Sequence, residues 1–292
     1  MKLTRRNALA RMCTLLSSPV LLGMAGGVKA SDKVRGEKLK GKIKHSVCKW
    51  CYADIPLEEL CKAAGEIGLQ SIELVGPEGW PTLKKYGLTC AMPWGAEKSL
   101  TEGFNNPRFH DELVANYQAI IPKVADAGFD KIICFSGNRD GMDDETGLEN
   151  CVTGLKRLIS TAEKHKVTVC MELLNSKIDH PGYMCDHTDW GVELCNRVGS
   201  DHFKLLYDIY HMQIMEGDVI RTIRDNHQYI AHYHTGGVPG RNEIDETQEL
   251  YYPAIMRAIV DTGYTGFVGQ EFIPSWDDKL ASLTKGVEIC DI

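Results

Sequence analysis

Eight short apolar runs alternate with longer amphipathic stretches from residue 43 to the C-terminus, and this alternation constrains the fold more tightly than any other pattern in the chain. The runs cover residues 43–48, 71–75, 88–92, 131–135, 167–172, 203–208, 229–234 and 267–271. All are of strand length, and their dense apolar character is that of strands covered on both faces, the habit of parallel sheets. Helices are expected at 56–67, 107–127, 145–165, 189–198, 219–225, 248–261 and 277–289, with a further short one near 80–86. Gly68, Gly128 and Gly263 stand where helices should stop before the next strand, and Pro122 predicts a kink or break in the long helix that contains it. Strands alternating with helices in this way predict the α/β class and an all-parallel sheet closed into a single (β/α)8 TIM barrel over residues 43–292. The alternative, an open doubly wound sheet, lacks the G-x-G-x-x-G turn after its first strand.

The first thirty residues stand outside that pattern. Arg5 and Arg6 precede an apolar region, residues 12–24, and small residues lead up to Ala30. This is the form of a twin-arginine export signal cleaved after Ala30, with Thr4 to Leu9 an imperfect version of the motif. The apolar region is shorter than the roughly 20 residues a membrane-spanning helix needs, and Ser17, Ser18, Pro19 and Gly23 interrupt it. The expectation is a signal peptide at 1–30, a polar linker at 31–42, and an exported, periplasmic barrel with no membrane association after cleavage.

Charge and cysteine content narrow the partners. The signal holds five basic residues and no acid, so its removal moves the formal charge from −7 to about −12. An acidic body repels phosphate backbones, which argues against nucleic acid. Ten cysteines remain after Cys13 leaves with the signal. Cys48 and Cys51 form one isolated C-x-x-C, open to redox, half-zinc or plain packing readings. Cys90, Cys134 and Cys170 lie inside apolar runs, where a thiol behaves as a small hydrophobe.

Function is written at the strand ends. Glu172, Asp208, His234 and Glu271 close the fifth to eighth runs, which delivers three carboxylates and an imidazole to one rim of the barrel. Barrel enzymes carry their sites on that rim. Burying three carboxylates together without a cation costs several kcal/mol in desolvation and repulsion. A divalent metal removes the conflict; oxygen-rich ligation with one nitrogen suits Mg²⁺ or Mn²⁺, with Zn²⁺, Co²⁺ or Fe²⁺ also compatible. The bland readings are that Asp208 caps the next segment, that His211 is a satisfied histidine ordering Glu216, and that the cluster is an ion-pair network with Arg241 or Lys49.

Residues 171–185, 207–218, 230–245 and 269–274 carry a resemblance, above all in the strings YDIYHMQ and VPGRNE. The chain resembles the xylose isomerase-like sugar isomerases and epimerases, and within them the hydroxypyruvate isomerase type. The resemblance implies that Glu172, Asp208, His234 and Glu271 form the metal shell. It further implies that Glu172 and Glu271 act as the acid/base pair and that His211 and Arg241 lie beside substrate. Histidine at the third metal position and Leu173 after Glu172 depart from the hydroxypyruvate isomerase pattern, where glutamine and proline are expected. That histidine is closer to the ketose 3-epimerases.

The expected chemistry is an enediolate proton transfer. A metal chelated by a carbonyl and the neighbouring hydroxyl acidifies the carbon-bound proton, one glutamate removes it, and the other returns it elsewhere. His211 is placed to donate to the developing oxyanion, and the fork of Arg241 suits a carboxylate or a local pair with Glu243 or Asp245. Asn175 and Tyr183 are candidates for substrate hydroxyls, and Lys49, Trp50, Trp94 and Trp276 for pocket walls. The best match is conversion of hydroxypyruvate to tartronate semialdehyde, with a ketose or keto-sugar 3-epimerase as the near alternative. An endonuclease IV type of phosphodiesterase would need more histidines and a basic groove. An exported sugar-binding protein, possible as a homo-oligomer like the enzyme, would not need two glutamates placed to shuttle protons.

Overall fold

A computed structural model describes residues 39–292. The expected signal and most of the expected linker lie outside the described residues. Of the linker's end, Leu39 packs against the core and the Lys40 N–H donates to Asp291 Oδ2 at 2.7 Å.

Seven strands form one sheet: β1 (Lys44–Cys48), β2 (Ser71–Glu73), β3 (Lys131–Cys134), β4 (Thr168–Leu173), β5 (Phe203–Asp208), β6 (Ile230–Thr235) and β7 (Phe267–Gln270). Their order is β2-β1-β7-β6-β5-β4-β3, and each neighbouring pair is parallel. The helices between them are α1 (Leu57–Ile67), α2 (Trp80–Lys85), α3 (His110–Asp126), α4 (Asp144–His165), α5 (Thr188–Val198), α6 (Ile209–Met215), α7 (Val219–Asn226), α8 (Tyr252–Asp261) and α9 (Lys279–Cys290). The architecture is a parallel α/β arrangement of the TIM-barrel kind.

The expected strand at 88–92 is not one of the seven. Only Thr89 forms a single bridge, with Ser71. The segment nevertheless lies between β2 and β3: Ile72 and Leu74 donate to the carbonyls of Thr89 and Met92, and Ile133 donates to that of Pro93. Pro93 has no N–H to return, so no ladder forms with β3 and the junction stays irregular. A second departure is α6, a short helix that follows Asp208 directly, where no helix is expected between the run 203–208 and the helix at 219–225. As for Pro122, α3 runs through it without a break, four residues before the helix ends.

Local chemistry explains the remaining boundaries. Asp143 caps α4 by accepting from the Thr146 N–H, and Asp278 caps α9 by accepting from Leu280 and Ala281. Gly68, at φ 98°, ends α1 in a left-handed turn that a side chain would oppose. The strands are buried almost throughout, and Leu60, Tyr117, Leu155, Leu194 and Ile259 of the surrounding helices are also buried against them. All ten described cysteines are free and buried. Among the described residues, no helix is long and apolar enough to cross a membrane.

Candidate active site

Parallel strands send their carboxyl ends to one side, and there Glu172 of β4, Asp208 of β5, His234 of β6 and Glu271 just past β7 converge. One ligand atom from each lies within 4.8 Å of the others, and all four residues are buried. Nδ1 of His234 faces the centre, 3.2 Å from Glu172 Oε1 and 2.9 Å from Glu271 Oε2.

Asp208 divides its carboxylate between two tasks. Oδ1 caps α6, accepting from the Tyr210 N–H at 2.8 Å and from the His211 N–H at 3.3 Å. Oδ2 turns to the site, 3.4 Å from Arg241 Nη2 and 3.6 Å from His211 Nε2. Capping and site chemistry are thus both served by one residue.

The other predicted residues are placed around this centre. Arg241 adopts φ 58°, a left-handed conformation that costs a side-chain residue about 1–2 kcal/mol. Its guanidinium lies over the rings of Trp50 and Tyr210 and donates to Glu271 Oε2 at 2.8 Å. It does not pair with Glu243, which accepts from Ser275, Trp276 and Ser282 instead. Glu216 takes the N–H and hydroxyl of Thr188, so His211 is not its partner. Asn175 is fully buried and spends its amide inside the protein: Oδ1 accepts from Ile178 and Asp179, and Nδ2 donates to Asp179 and to His211 Nδ1. It reaches the centre only through His211, whose Nε2 is left without a partner. Tyr183 is likewise buried, its hydroxyl donating to the Glu172 carbonyl. Lys49 turns away to the Tyr52 carbonyl.

The electrostatics divide the cluster. Burial and the Glu271 carboxylate push Glu172 up, and burial with both glutamates pushes Asp208 well up against the pull of Arg241. Burial opposes charge on Glu271 as well, but His234, Arg241 and the Trp50 N–H outweigh it and hold that carboxyl well below its usual range. Burial and then Arg241 hold His211 well below 6.5, so it is a neutral imidazole. With Asn175 donating to Nδ1, its proton sits on Nε2, facing Asp208. Burial pushes the Cys48 and Cys51 thiols well up, so the C-x-x-C pair supplies no thiolate.

A divalent cation fits this donor set. Three buried carboxylates face one imidazole and one guanidinium, which leaves negative charge in excess whenever His234 is neutral. Oxygen-rich ligation completed by His234 Nδ1 is suited to a hard or borderline ion. Above the cluster opens a cavity of about 440 Å³, walled by Trp50, Leu74, Trp94, Leu100 and Phe135. Trp276 is absent from its lining, whereas His180, unforeseen from sequence, stands in it, its ring 5.3 Å from that of His211.

Two further buried residues, Glu73 and His232, stand beside the cluster without being among the expected site residues. Glu73 ends β2 and meets His232 Nε2 at 2.6 Å directly behind His234. The sequence signal for Glu73 is weak, because it falls inside the apolar run 71–75 and only the structure ends the strand there.

The sequence pattern described as "Xylose isomerase-like TIM barrel" matches residues 57–288. A putative hydroxypyruvate isomerase of Homo sapiens is 28% identical over 269 residues, 89% of this chain and 87% of that protein. Among solved structures, an AP endonuclease, family 2, from Brucella melitensis superposes with a TM-score of 0.74 at 24% identity, over 82% of this chain and 97% of the other. A D-psicose 3-epimerase from Clostridium cellulolyticum H10, solved with D-tagatose, gives 0.66 at 19% identity, over 86% and 100%. At these identities the two structures speak to the fold. The family pattern spans most of the barrel, as the strings around Asp208 and Arg241 led one to expect, and the chain belongs to the xylose isomerase-like TIM barrel family.

Proposed function

We propose that the protein is a metal-dependent isomerase or epimerase that moves a proton between carbons, or between faces of one carbon, of a small hydroxy-carbonyl compound. The observation that carries this reading is the pair Glu172 and Glu271. They come from different strands, are buried at one cavity floor, and flank the same nitrogen of His234. Glu172, Asp208, His234 and Glu271 would hold the metal, which when bound supplies Lewis acidity that makes the carbon next to the substrate carbonyl more acidic.

The protein's own groups do the rest. Trp50 and Arg241 donate to the two oxygens of Glu271, at 2.7 and 2.8 Å, and fix its orientation toward the cavity. Glu172 has its own carboxylate freer to turn, with His234 as its hydrogen-bond partner. One glutamate accepts the proton and the other delivers it, so the product depends on the carbon or face that the second one meets. His211, donating from Nε2, stabilises charge on the substrate oxygen. The apolar walls exclude water around the reacting carbons.

The human relative's name makes hydroxypyruvate the first substrate to test. A neutral keto-sugar is the second reading, favoured by the cavity's cations. Arg241 is already paired with Glu271 and Asp208, and Lys98 with Glu102 and Glu112, so neither lies open to a substrate carboxylate. Assay of metal-loaded protein on hydroxypyruvate, tartronate semialdehyde and a panel of ketoses separates the two, and absence of turnover on all of them counts against both. For location, we propose twin-arginine export, on the strength of Arg5, Arg6 and the apolar region that follows.

A further inference from the structure

Behind His234, on the side away from the cavity, lies a second polar group that the proposed chemistry does not use. Glu73 of β2 and His232 of β6 are both fully buried, and their Oε2 and Nε2 atoms are 2.6 Å apart. His232 and His234 alternate on β6 with one residue between them, so both rings enter the barrel interior, at 87° to each other with centroids 5.1 Å apart. Two neighbours face Nε2 of His234: Glu73 Oε2 and Cys48 Sγ, each at 3.7 Å.

The chain makes room for this group. On β7, Gly269 pairs with His234, and a Cβ there would overlap Oε1 of Glu73 and press on Cδ2 of the His234 ring. The missing side chain is the space through which a carboxylate from β2 reaches a histidine on β6. Both oxygens of Glu73 and both nitrogens of His232 lack a partner of good hydrogen-bond geometry. Fully buried ionisable groups are seldom left so.

A ring nitrogen that ligates a cation carries no proton, so a His234 bound through Nδ1 keeps its proton on Nε2. That N–H is buried and needs an acceptor. The Cys48 sulfur is a weak one; Glu73 is a carboxylate with oxygens to spare. Histidine ligands to metals are commonly oriented by a carboxylate on the other ring nitrogen. We infer that Glu73, held in place by His232, is the positioning residue for His234: it accepts from Nε2–H, fixes the tautomer and aims Nδ1 at the cation. The inference rests on the metal-dependent reading above.

The test is Mn²⁺ affinity, read from free Mn²⁺ by electron paramagnetic resonance, for the wild type, Glu73→Gln and Gly269→Ala. Glu73→Gln keeps the shape and removes the carboxylate. Gly269→Ala keeps Glu73 but fills its space. Both should bind Mn²⁺ about 10–100-fold more weakly, while thermal unfolding in chelator confirms that each variant is folded. In the Mg²⁺-loaded wild type labelled with ¹⁵N-histidine, His234 should show a protonated Nε2 and an unprotonated Nδ1, and Glu73→Gln should shift that Nε2 signal. If Glu73→Gln does not fold, Gly269→Ala and the tautomer of the wild type decide. Wild-type Mn²⁺ affinity in folded variants, or an Nδ1-protonated His234 in the loaded wild type, overturns the inference and leaves the metal site standing. A wild type that binds no divalent cation overturns both.

Discussion

Nδ2 of Asn175 lies 2.6 Å from Nδ1 of His211, and this contact decides which nitrogen of the imidazole carries the proton that faces Asp208. Asn175 cannot turn over without losing the Ile178 and Asp179 N–H groups that hold its carbonyl. An aspartate at this position would accept from Nδ1–H instead and leave Nε2 as a lone pair facing Asp208. Asn175→Asp is therefore expected to lower kcat by about 10–100-fold, the worth of a hydrogen bond to a charged group, with a smaller change in KM. Steady-state kinetics on a variant with unchanged circular dichroism checks this; unaltered kcat would count against the role given to His211.

Metal should stabilise the fold as well as support turnover. At 100 times Kd, a cation that binds only the folded state adds about 2.7 kcal/mol, which for a domain of this size raises Tm by roughly 5–10 °C. Asp208→Asn is the informative variant. Asparagine retains an oxygen to cap α6 while withdrawing the ligand charge, so the variant should fold and show no metal-dependent rise in Tm. A Tm that responds to metal equally in both proteins would place the cation elsewhere.

Acid should weaken the fold by way of a histidine far from the cavity. Burial lowers the pKa of His45 from 6.5, and Asp291 at 3.6 Å only partly offsets it. The unfolded chain then takes up a proton near pH 6.5 that the folded chain refuses until lower pH. Stability is accordingly complete above about pH 6.5 and falls as the pH drops toward the lowered value. Urea midpoints of chelator-treated protein at pH 7.5 and 5.5 should show the decline, and His45→Gln should make it shallower. Parallel pH profiles for the two proteins would remove His45 from the account.

Export is expected to depend on Arg5 and Arg6. Replacing both with lysine should leave the precursor in the cytoplasm, and fractionation showing normal export of that variant would refute the proposed route.

Much of the fold was legible because packing and chemistry left separate marks. The run Phe203–Asp208 was placed to the residue, since an apolar strand ending in a carboxylate has two independent boundaries. The missing eighth strand was not legible: Leu88 to Met92 has strand composition, and only the proline after it, seen in three dimensions, explains why β3 donates one hydrogen bond to this segment, from Ile133 to the Pro93 carbonyl, and no ladder forms. Helix α6 is hard to read because its seven residues, Ile209–Met215, are too few for a helical period to stand out, even with Asp208 available as its cap. For the site, the strand-end rule brings together Glu172, Asp208, His234 and Glu271 but misses Glu73, which lies inside the apolar run 71–75 and ends its strand only in the structure. The roles of Asn175 and Arg241 depended on contacts 36 and 30 residues away along the chain, which no local pattern carries.

Solvent deuterium tests the central claim most directly. If Glu172 and Glu271 pass a proton through the carboxyl groups at the cavity floor, the metal-loaded enzyme turning over in deuterated water should place deuterium on substrate or product carbon, whichever substrate proves active. In Glu271→Gln with metal retained, both labelling and turnover should fall by at least ~100-fold, the usual share of a general base. Product formed over many turnovers with no deuterium on carbon would contradict the two-glutamate proton transfer.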